Sequence, residues 1–239
     1  MLLNTRGLVF FGHYKIIFQT AFGLYIITTT PVLLVQVMKD KSVKDFDRVS
    51  DSYNNFMRFW KLYREKEILE LLSLKGDESV ADLGGGTGHL AAHMASHCGE
   101  VVVIDESAHM LEKVPEHEKI KTVQGDAGET GFPGQSFDVV TLTDVLHHIQ
   151  NQTAAFSEIS RIIKPGGKFL IYDFDARSFR AKILSFFESI LFGFSRLHYR
   201  KRDEIESMIR DAGFTRQQIL DRGYYFISLW IYSGKPEPS

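Results

Sequence analysis

The sequence has a single cysteine, Cys98, among its 239 residues. One thiol excludes an internal disulfide, a cysteine-based metal site and a relay between several thiols. We expect Cys98 to be a reduced thiol packed near the first helix of the domain, which favours an intracellular protein. No metal site is predicted from the sequence.

An excess of charge of one sign is also absent. The 30 acidic residues nearly balance the 28 basic ones, so the formal net charge is −2. This balance gives no electrostatic reason to expect nucleic acid as a partner. Neither an internal repeat nor a low-complexity segment is visible. With 44% hydrophobic and 24% charged residues, the chain is expected to fold as a globular protein with a full core.

Charge is missing altogether from residues 16–38, which lie between Lys15 and Lys39. As a helix this segment would extend about 34 Å, against about 30 Å for the hydrocarbon core of a bilayer. Its Leu, Ile, Phe and Val residues favour insertion by roughly 4–7 kcal/mol. Its Gln and Thr residues and Pro31 bring insertion close to break-even. We therefore expect residues 1–39 to form a hydrophobic membrane anchor, followed by a domain over residues 40–239.

Other interpretations of this N-terminal segment stay open. A cleaved signal peptide would need a small-residue cleavage site, which is not found. An organelle presequence agrees with the absence of acidic residues from 1–39, but serine is absent there and arginine occurs once. The segment could also pack into the domain as a helix or hairpin. For a spanning segment, the basic residues that follow it weakly place the domain in the cytoplasm, with soluble cytoplasm or an organelle as alternatives.

Four glycines within five positions distinguish "VADLGGGTGHL", residues 80–90. The pattern predicts a strand over 79–83, a glycine loop, and a helix over about 89–96. A glycine-rich strand-to-helix turn lets a nucleotide-like ligand approach the main chain. Those glycines are Gly84, Gly85, Gly86 and Gly88.

The identity of that ligand depends on the neighbouring residues. Gly86-x-Gly88-x-x-Ala91 fits the dinucleotide fingerprint, which alone is a weak signal. Asp82 precedes the glycines, where it would repel a pyrophosphate but would tolerate a ligand with a cationic amino-acid end. The chain is also short for a nucleotide domain plus a separate substrate domain.

Further strands alternate with helices over residues 66–213, which predicts a parallel sheet covered by helices on both faces. Residues 214–235 are expected to add two strands with a turn near 221–223. The strand motifs that follow the glycine loop are "VVVID" (101–105), "KTVQGDA" (121–127), "FDVVTLTDVLHHI" (137–149) and "IKPGGKFLIYDF" (163–174), the last being a tight turn followed by a strand.

In this order and spacing, the motifs over roughly residues 45–235 resemble class I S-adenosylmethionine-dependent methyltransferases. The resemblance implies an α/β fold with a Rossmann-like, doubly wound seven-stranded sheet, mostly parallel with an antiparallel C-terminal strand pair. "FDRVSDSYNN" (46–55) is similar to the N-terminal signature of the small-molecule branch that includes the quinone-biosynthesis C-methyltransferases. That branch carries an Arg-Asn pair where this chain has "LHHI", so the acceptor is left open.

The cofactor implied by this resemblance is S-adenosylmethionine. The glycines would let the main chain approach its amino-acid and ribose portions, with Asp82 near its cationic end and Asp105 on the ribose hydroxyls. The resemblance implies that Asp126 and Ala127 meet the adenine and that Tyr53 closes over the donor. Thr143 would line the donor pocket. The alternative for Asp105 and Asp126 is that both are solvated acids at strand ends.

Methyl transfer from a sulfonium needs alignment of the acceptor and, where required, removal of a proton. No triad signature is present, so no covalent nucleophile is expected. The candidates for a general base or polar wall are His147, His148 and Asp144. The adjacent histidines would point about 100° apart on a helix, so only one could face the site. The alternative is that each histidine only packs a helix.

Residues 181–199 carry apolar side chains on one helical face, flanked by basic residues. This segment is expected to cover the acceptor site, to pack on the sheet as an ordinary helix, or to lie on a membrane surface. The function favoured by the sequence is methylation of a small, lipophilic acceptor. The alternatives are a nicotinamide-linked oxidoreductase and a non-catalytic S-adenosylmethionine-binding membrane scaffold.

Overall fold

The computed structural model describes residues 64–176, 198–221 and 225–234, together with the backbone of three short strands between residues 9 and 27. The chain divides into two compact units, Met1–Lys44 and Asp45–Ser239. The predictions for Tyr53 and for the 46–55 signature lie outside the described residues. The predicted apolar helix over 181–199 also lies outside them, except for residues 198 and 199.

The first unit contains a small antiparallel sheet. Its strands lie in the order β1-β2-β3 and comprise Val9–Phe10 (β1), Ile16–Thr20 (β2) and Gly23–Ile27 (β3). The single helix expected over residues 16–38 is therefore wrong for the residues in β2 and β3. The physical reason is that short runs of β-branched and aromatic residues favour strands, and the two runs pair antiparallel with each other.

The described helices include none with the length and apolar character needed to cross a bilayer. Membrane anchoring through residues 1–39, and the location that follows from it, stay predictions.

The second unit contains a seven-stranded sheet in the order β6-β5-β4-β7-β8-β10-β9. Strands β4 to β8 pair in parallel, and β10 pairs antiparallel with both β8 and β9. This confirms the predicted doubly wound sheet with its antiparallel C-terminal pair. The strands are Ser79–Leu83 (β4), Glu100–Asp105 (β5), Ile120–Gln124 (β6), Phe137–Thr143 (β7), Ile163–Phe174 (β8), Phe214–Asp221 (β9) and Tyr225–Tyr232 (β10).

Helices cover both faces of this sheet, and two buried apolar clusters form its core. One cluster includes side chains of α1 and α2, and the other includes side chains of α4 and α5. The described helices are Glu65–Leu72 (α1), His89–Met94 (α2), Ala108–Leu111 (α3), Gln152–Ile162 (α4) and Arg202–Asp211 (α5), with a 3₁₀ turn at Leu146–His148.

Strand β5 is apolar without interruption because it is buried on both faces of the sheet. Val101 and Val103 belong to the cluster on one face of the sheet, while Val102 and Ile104 belong to the cluster on the other. A parallel strand covered on both faces has no solvent side, so alternation with polar residues disappears. Cys98 is a free, buried thiol in the first of these clusters, as expected, and burial raises its pKa to about 11.

Two predicted elements differ in detail. The helix after the glycine loop ends at Met94 rather than near residue 96. The tight turn predicted before the fifth motif strand lies inside β8, where the pairing with β7 shifts between Phe137 and Val139. Gly166 lies in this irregular part of the strand at φ +76°, a conformation that glycine adopts at little cost.

The strand order also fixes where a ligand can bind. The chain builds β4, β5 and β6 towards one edge and then returns to place β7 on the other side of β4. In open α/β sheets, the crevice beyond the carboxyl ends of the strands at this reversal is the usual ligand site. The glycine loop follows β4, and the residues from Thr143 onward follow β7.

Candidate functional site

The glycine loop is closely packed against the strands and loops around it. Gly84, at φ +64°, donates its N–H to the carbonyl of Ile104 at 2.7 Å. A Cβ on Gly84 would lie 2.4 Å from the side chain of Val145. Gly88, at φ +70°, caps α2, and a Cβ there would lie 2.8 Å from Val114. The loop can therefore lie this close to Val145 and Val114 only because Gly84 and Gly88 carry no side chain.

Asp105 joins the end of β5 to the glycine loop. Its Oδ2 accepts a hydrogen bond from the N–H of Gly86 at 2.9 Å, and its Oδ1 accepts one from the N–H of Ser107 at 2.9 Å. An ionised carboxylate has about four acceptor positions, so its oxygens can accept more than one hydrogen bond each. The predicted ribose-binding residue thus also holds the loop in place.

Asp82 lies directly beneath the loop and is fully buried. Thr141 donates its hydroxyl to Asp82 Oδ1 at 2.7 Å, while Oδ2 has no hydrogen-bond partner among the described residues. A Cβ on Gly85 would lie only 2.6 Å from that oxygen. Burial raises the pKa of Asp82 to about 7, the Thr141 hydrogen bond opposes this rise, and the charge of Asp105 adds to it.

The raised pKa makes the stability of the ligand-free protein depend on pH. The folded state retains the Asp82 proton up to about pH 7, while the unfolded state releases it near 3.8. The folded state thus binds more protons between these values, and the free energy of unfolding must fall as the pH rises through that window. Relative to Asp82→Asn, we expect the wild-type free energy of unfolding to decrease by roughly 2–4 kcal/mol between pH 4 and pH 7.5.

Urea unfolding of both proteins at a series of pH values measures this difference. The substitution keeps a neutral side chain of the same shape and retains an acceptor for the Thr141 hydroxyl. Parallel stability curves for the two proteins would contradict a raised pKa of Asp82.

The loop after β6 lies beside the end of β5, because the N–H of Gly125 donates to the carbonyl of Asp105 at 3.1 Å. Asp126 is exposed, and its carboxylate accepts from the N–H of Gly128. Ala127 packs against the core beside it. Thr143 is half-buried at the end of β7. The predicted donor-binding residues, Tyr53 apart, thus lie at the carboxyl ends of β4, β5, β6 and β7, while their ligand contacts stay predictions.

Asp144 directly follows β7 and has an uncommon backbone conformation. It is buried at φ +56°, and its N–H donates to the carbonyl of Tyr172 at 2.8 Å. A non-glycine residue in this region costs some backbone strain, which aspartate tolerates better than most residues. Burial and the charge of Asp144 raise the pKa of Tyr172 well above its usual value. The buried acid Asp144 after β7 therefore lies near the protonated phenol of Tyr172, close to the end of β8.

The two adjacent histidines have different surroundings. They lie on the 3₁₀ turn, where successive side chains point about 120° apart rather than 100°. His147 is buried, its Nδ1 lies 2.9 Å from Asp173 Oδ1, and its ring stacks on Tyr199 with centroids 4.8 Å apart. With Asp173 Oδ1 as the acceptor, His147 Nδ1 donates this hydrogen bond. His147 is thus held by internal contacts.

His148 is half-buried, and burial with the charge of His147 lowers its pKa well below the usual value. A neutral imidazole at pH 7 retains a nitrogen that can accept a proton. Of the two histidines, the environment of His148 is the one suited to a base, and no described contact tests that role.

Asp173 is an acid of this region that was not predicted from the sequence. It ends the apolar run of β8 and is as buried as its partner His147. The signal in the sequence was an acid in the buried strand "FLIYDF", but its partner lies 26 residues earlier, in the turn after β7. Only the pairing of β7 with β8 brings the two residues together.

The strand order and the glycine loop after β4 are those of class I S-adenosylmethionine-dependent methyltransferases. Residues 81–171 match the family described as a methyltransferase domain. This match and the fold support an S-adenosylmethionine-dependent methyltransferase domain of class I, and S-adenosylmethionine is the donor of that class. The site fits this group, since the glycine cradle lacks Cβ atoms and the buried Asp82 Oδ2 is available to a cationic group.

Among curated proteins, the chain is similar to the ubiquinone/menaquinone biosynthesis C-methyltransferase of Shewanella oneidensis. The two are 34% identical over 127 residues, which cover 49% of this chain and 49% of the relative. The chain thus spans about half the length of the curated relatives it matches.

Among solved structures, the fold is similar to a chain in the complex between the Haloferax volcanii Trm112 methyltransferase activator and its methyltransferase. The TM-score is 0.67 at 17% identity, covering 80% of this chain and 99% of that one. It is also similar to phosphoethanolamine N-methyltransferase 2 of Haemonchus contortus, solved with S-adenosyl-L-methionine. That TM-score is 0.59 at 20% identity, covering 72% of this chain and 52% of the other. At these identities the similarity supports the fold alone.

Proposed function

We propose that the protein transfers a methyl group from S-adenosylmethionine to a small, lipophilic acceptor. The observation that carries the proposal is the buried Asp82 carboxylate beneath a glycine loop that is itself held by Asp105. A buried acid with an unpartnered oxygen is costly unless a cation pairs with it, and the donor has a cationic ammonium group.

The donor supplies a methyl group that its sulfonium charge has already activated. The residues of this chain have to bind and orient it. The loop N–H groups and Gly84, Gly85, Gly86 and Gly88 surround its amino-acid end, with Asp82 beneath them. Asp105 holds Gly86 in place and lies at the end of β5, where the ribose hydroxyls would bind. Asp126 and Ala127 stand at the neighbouring strand end for the adenine, and Thr143 lines the opposite side. Alignment of this kind is a major source of rate acceleration.

His148 is the residue that we propose to accept a proton from the acceptor, where the reaction releases one. Its lowered pKa keeps it neutral at pH 7, so it is in the protonation state that a base needs. Asp144, one turn earlier, would form a polar wall of the same region. His147 would position the turn through its contacts with Asp173 and Tyr199 rather than react.

The lipophilic character of the acceptor is supported by two observations. Val145 and Ile149 are incompletely buried apolar side chains on the segment after β7. The similar Shewanella protein carries the name ubiquinone/menaquinone biosynthesis C-methyltransferase. The departure from that branch at "LHHI" means that the acceptor class is proposed without naming a compound.

Donor choice is the first test of this function. We expect the full-length protein to bind S-adenosylmethionine and S-adenosylhomocysteine in isothermal titration calorimetry, and NAD at least about 100-fold more weakly. The physical reason is that Asp82, when ionised, attracts the ammonium group and repels a pyrophosphate. Binding of the donor should also tighten as the pH rises through about 7, because the ammonium group favours the ionised form of Asp82.

Turnover is tested by release of S-adenosylhomocysteine on addition of a lipid extract. Tight NAD binding without binding of the sulfonium compound would indicate an oxidoreductase. Donor binding without release of S-adenosylhomocysteine on any lipid extract would favour a non-catalytic scaffold.

A further inference from the structure

A second group of ligand-type side chains lies where α1 and α2 approach each other. Glu65 begins α1, and His89 and His93 lie one turn apart on α2. One potential ligand atom from each of the three side chains lies within 4.8 Å of the other two. No local sequence pattern joins these residues, because Glu65 is 24 residues away from His89 along the chain.

The tautomer of His93 is set by a hydrogen bond within α2. Its Nδ1 lies 2.8 Å from the carbonyl oxygen of His89, which can only accept, so Nδ1 carries the proton. In the neutral ring, Nε2 is then an electron-pair donor. Metal-binding histidines typically have this arrangement, in which the second ring nitrogen is bonded to a carbonyl or carboxylate. The exposed position of His93 also leaves a path for an ion to enter.

Glu65 and His89 approach each other without a direct hydrogen bond. Glu65 Oε2 lies 3.9 Å from His89 Nε2, too far for a hydrogen bond. This carboxylate oxygen is inaccessible to solvent and has no hydrogen-bond partner among the described residues. Two ligand atoms that each bind zinc at about 2.0–2.2 Å are separated by roughly 3.3–4 Å across the metal. The observed separation falls within that range.

We propose that Glu65, His89 and His93 bind a Zn²⁺ ion. Two imidazole nitrogens and one carboxylate oxygen form a donor set typical of zinc, with a further position left for water. Hard cations such as Mg²⁺ and Ca²⁺ prefer oxygen ligands and are disfavoured by this set. The site lies outside the proposed donor cradle, but His89 directly follows Gly88, so the ion would tie α1 to the helix that continues from the glycine loop.

A chelator-competition titration of the full-length protein, freed of any affinity tag, tests this site. We expect one equivalent of Zn²⁺ to bind and the thermal unfolding midpoint to rise with Zn²⁺ concentration. Glu65→Gln and His93→Ala should each weaken binding at least tenfold, because each removes one ligand. Binding of Mg²⁺ should not be measurable under the same conditions.

His117→Ala is the matched control, since His117 is exposed in the loop before β6 and is not part of the group. It should leave Zn²⁺ affinity unchanged. Circular dichroism without metal verifies that each variant is folded, and His93→Gln replaces any variant that is not. The proposal is overturned if the wild-type protein binds no Zn²⁺, if the ligand variants bind it as tightly as wild type, or if His117→Ala loses affinity equally.

Discussion

Asp105→Ala is expected to weaken binding of S-adenosylhomocysteine by about 10- to 100-fold, or roughly 1.5–3 kcal/mol. The substitution removes the charged acceptor that we propose for the ribose hydroxyls. It also leaves the N–H groups of Gly86 and Ser107 without the carboxylate that holds them, so the loop loses its fixed geometry. Isothermal titration calorimetry of the wild-type and variant proteins measures the change in affinity.

Glu106→Ala supplies the control for this prediction. Glu106 is the exposed neighbour of Asp105, and its substitution removes the same charge from the same segment. We expect its effect on affinity to be less than about threefold, because screening by water and salt weakens the attraction of an exposed charge. Equal losses in the two variants would show that Asp105 acts through charge alone, and an unchanged affinity for Asp105→Ala would mean that it does not contact the ligand.

Gly84→Ala is expected to lower the free energy of unfolding by about 2–5 kcal/mol. A φ of +64° costs an alanine about 1–2 kcal/mol, and its Cβ would lie 2.4 Å from Val145. Relief of such an overlap requires movement of Val145 or of the loop, which typically costs another 1–3 kcal/mol. Urea unfolding measures the loss, and donor affinity should fall with it because the loop must shift.

Gly131→Ala separates backbone strain from steric overlap. Gly131 has a similar φ of +75°, but a Cβ there would meet no atom within 4 Å. We expect this variant to lose only about 1–2 kcal/mol and to bind the donor normally. If both variants lost the same stability, the packing of Gly84 against Val145 would contribute nothing.

The strands of the sheet could be predicted from the sequence because their signals are local. Ser79–Leu83 was predicted with its observed bounds, and Glu100–Asp105 with one residue missing. Continuous apolar runs that end in an acid or a glycine loop are typical of buried parallel strands. The alternation of such runs with helical segments was sufficient to predict the doubly wound sheet.

The structure of the N-terminal hydrophobic segment was less predictable because its local signals fit two structures. An uncharged run of β-branched and aromatic residues is compatible with both a membrane helix and a hairpin. The local pattern does not distinguish the two structures. Partners in the neighbouring strand decided the outcome for Ile16–Thr20 and Gly23–Ile27, which pair residue by residue.

By itself the sequence determined the order of the strands along the chain, the position of the glycine loop and the acids that follow the strands, because each is a local pattern. Only the tertiary structure decided which of those acids is buried and what each contacts. Asp82 lies one residue before the end of its predicted strand and Asp126 ends another, yet Asp82 is fully buried and Asp126 is exposed. The pairing of His147 with Asp173 and the approach of Glu65 to His89 likewise join residues distant in sequence. Burial and long-range contacts depend on how the strands and helices pack together, and no local pattern of residues contains that information.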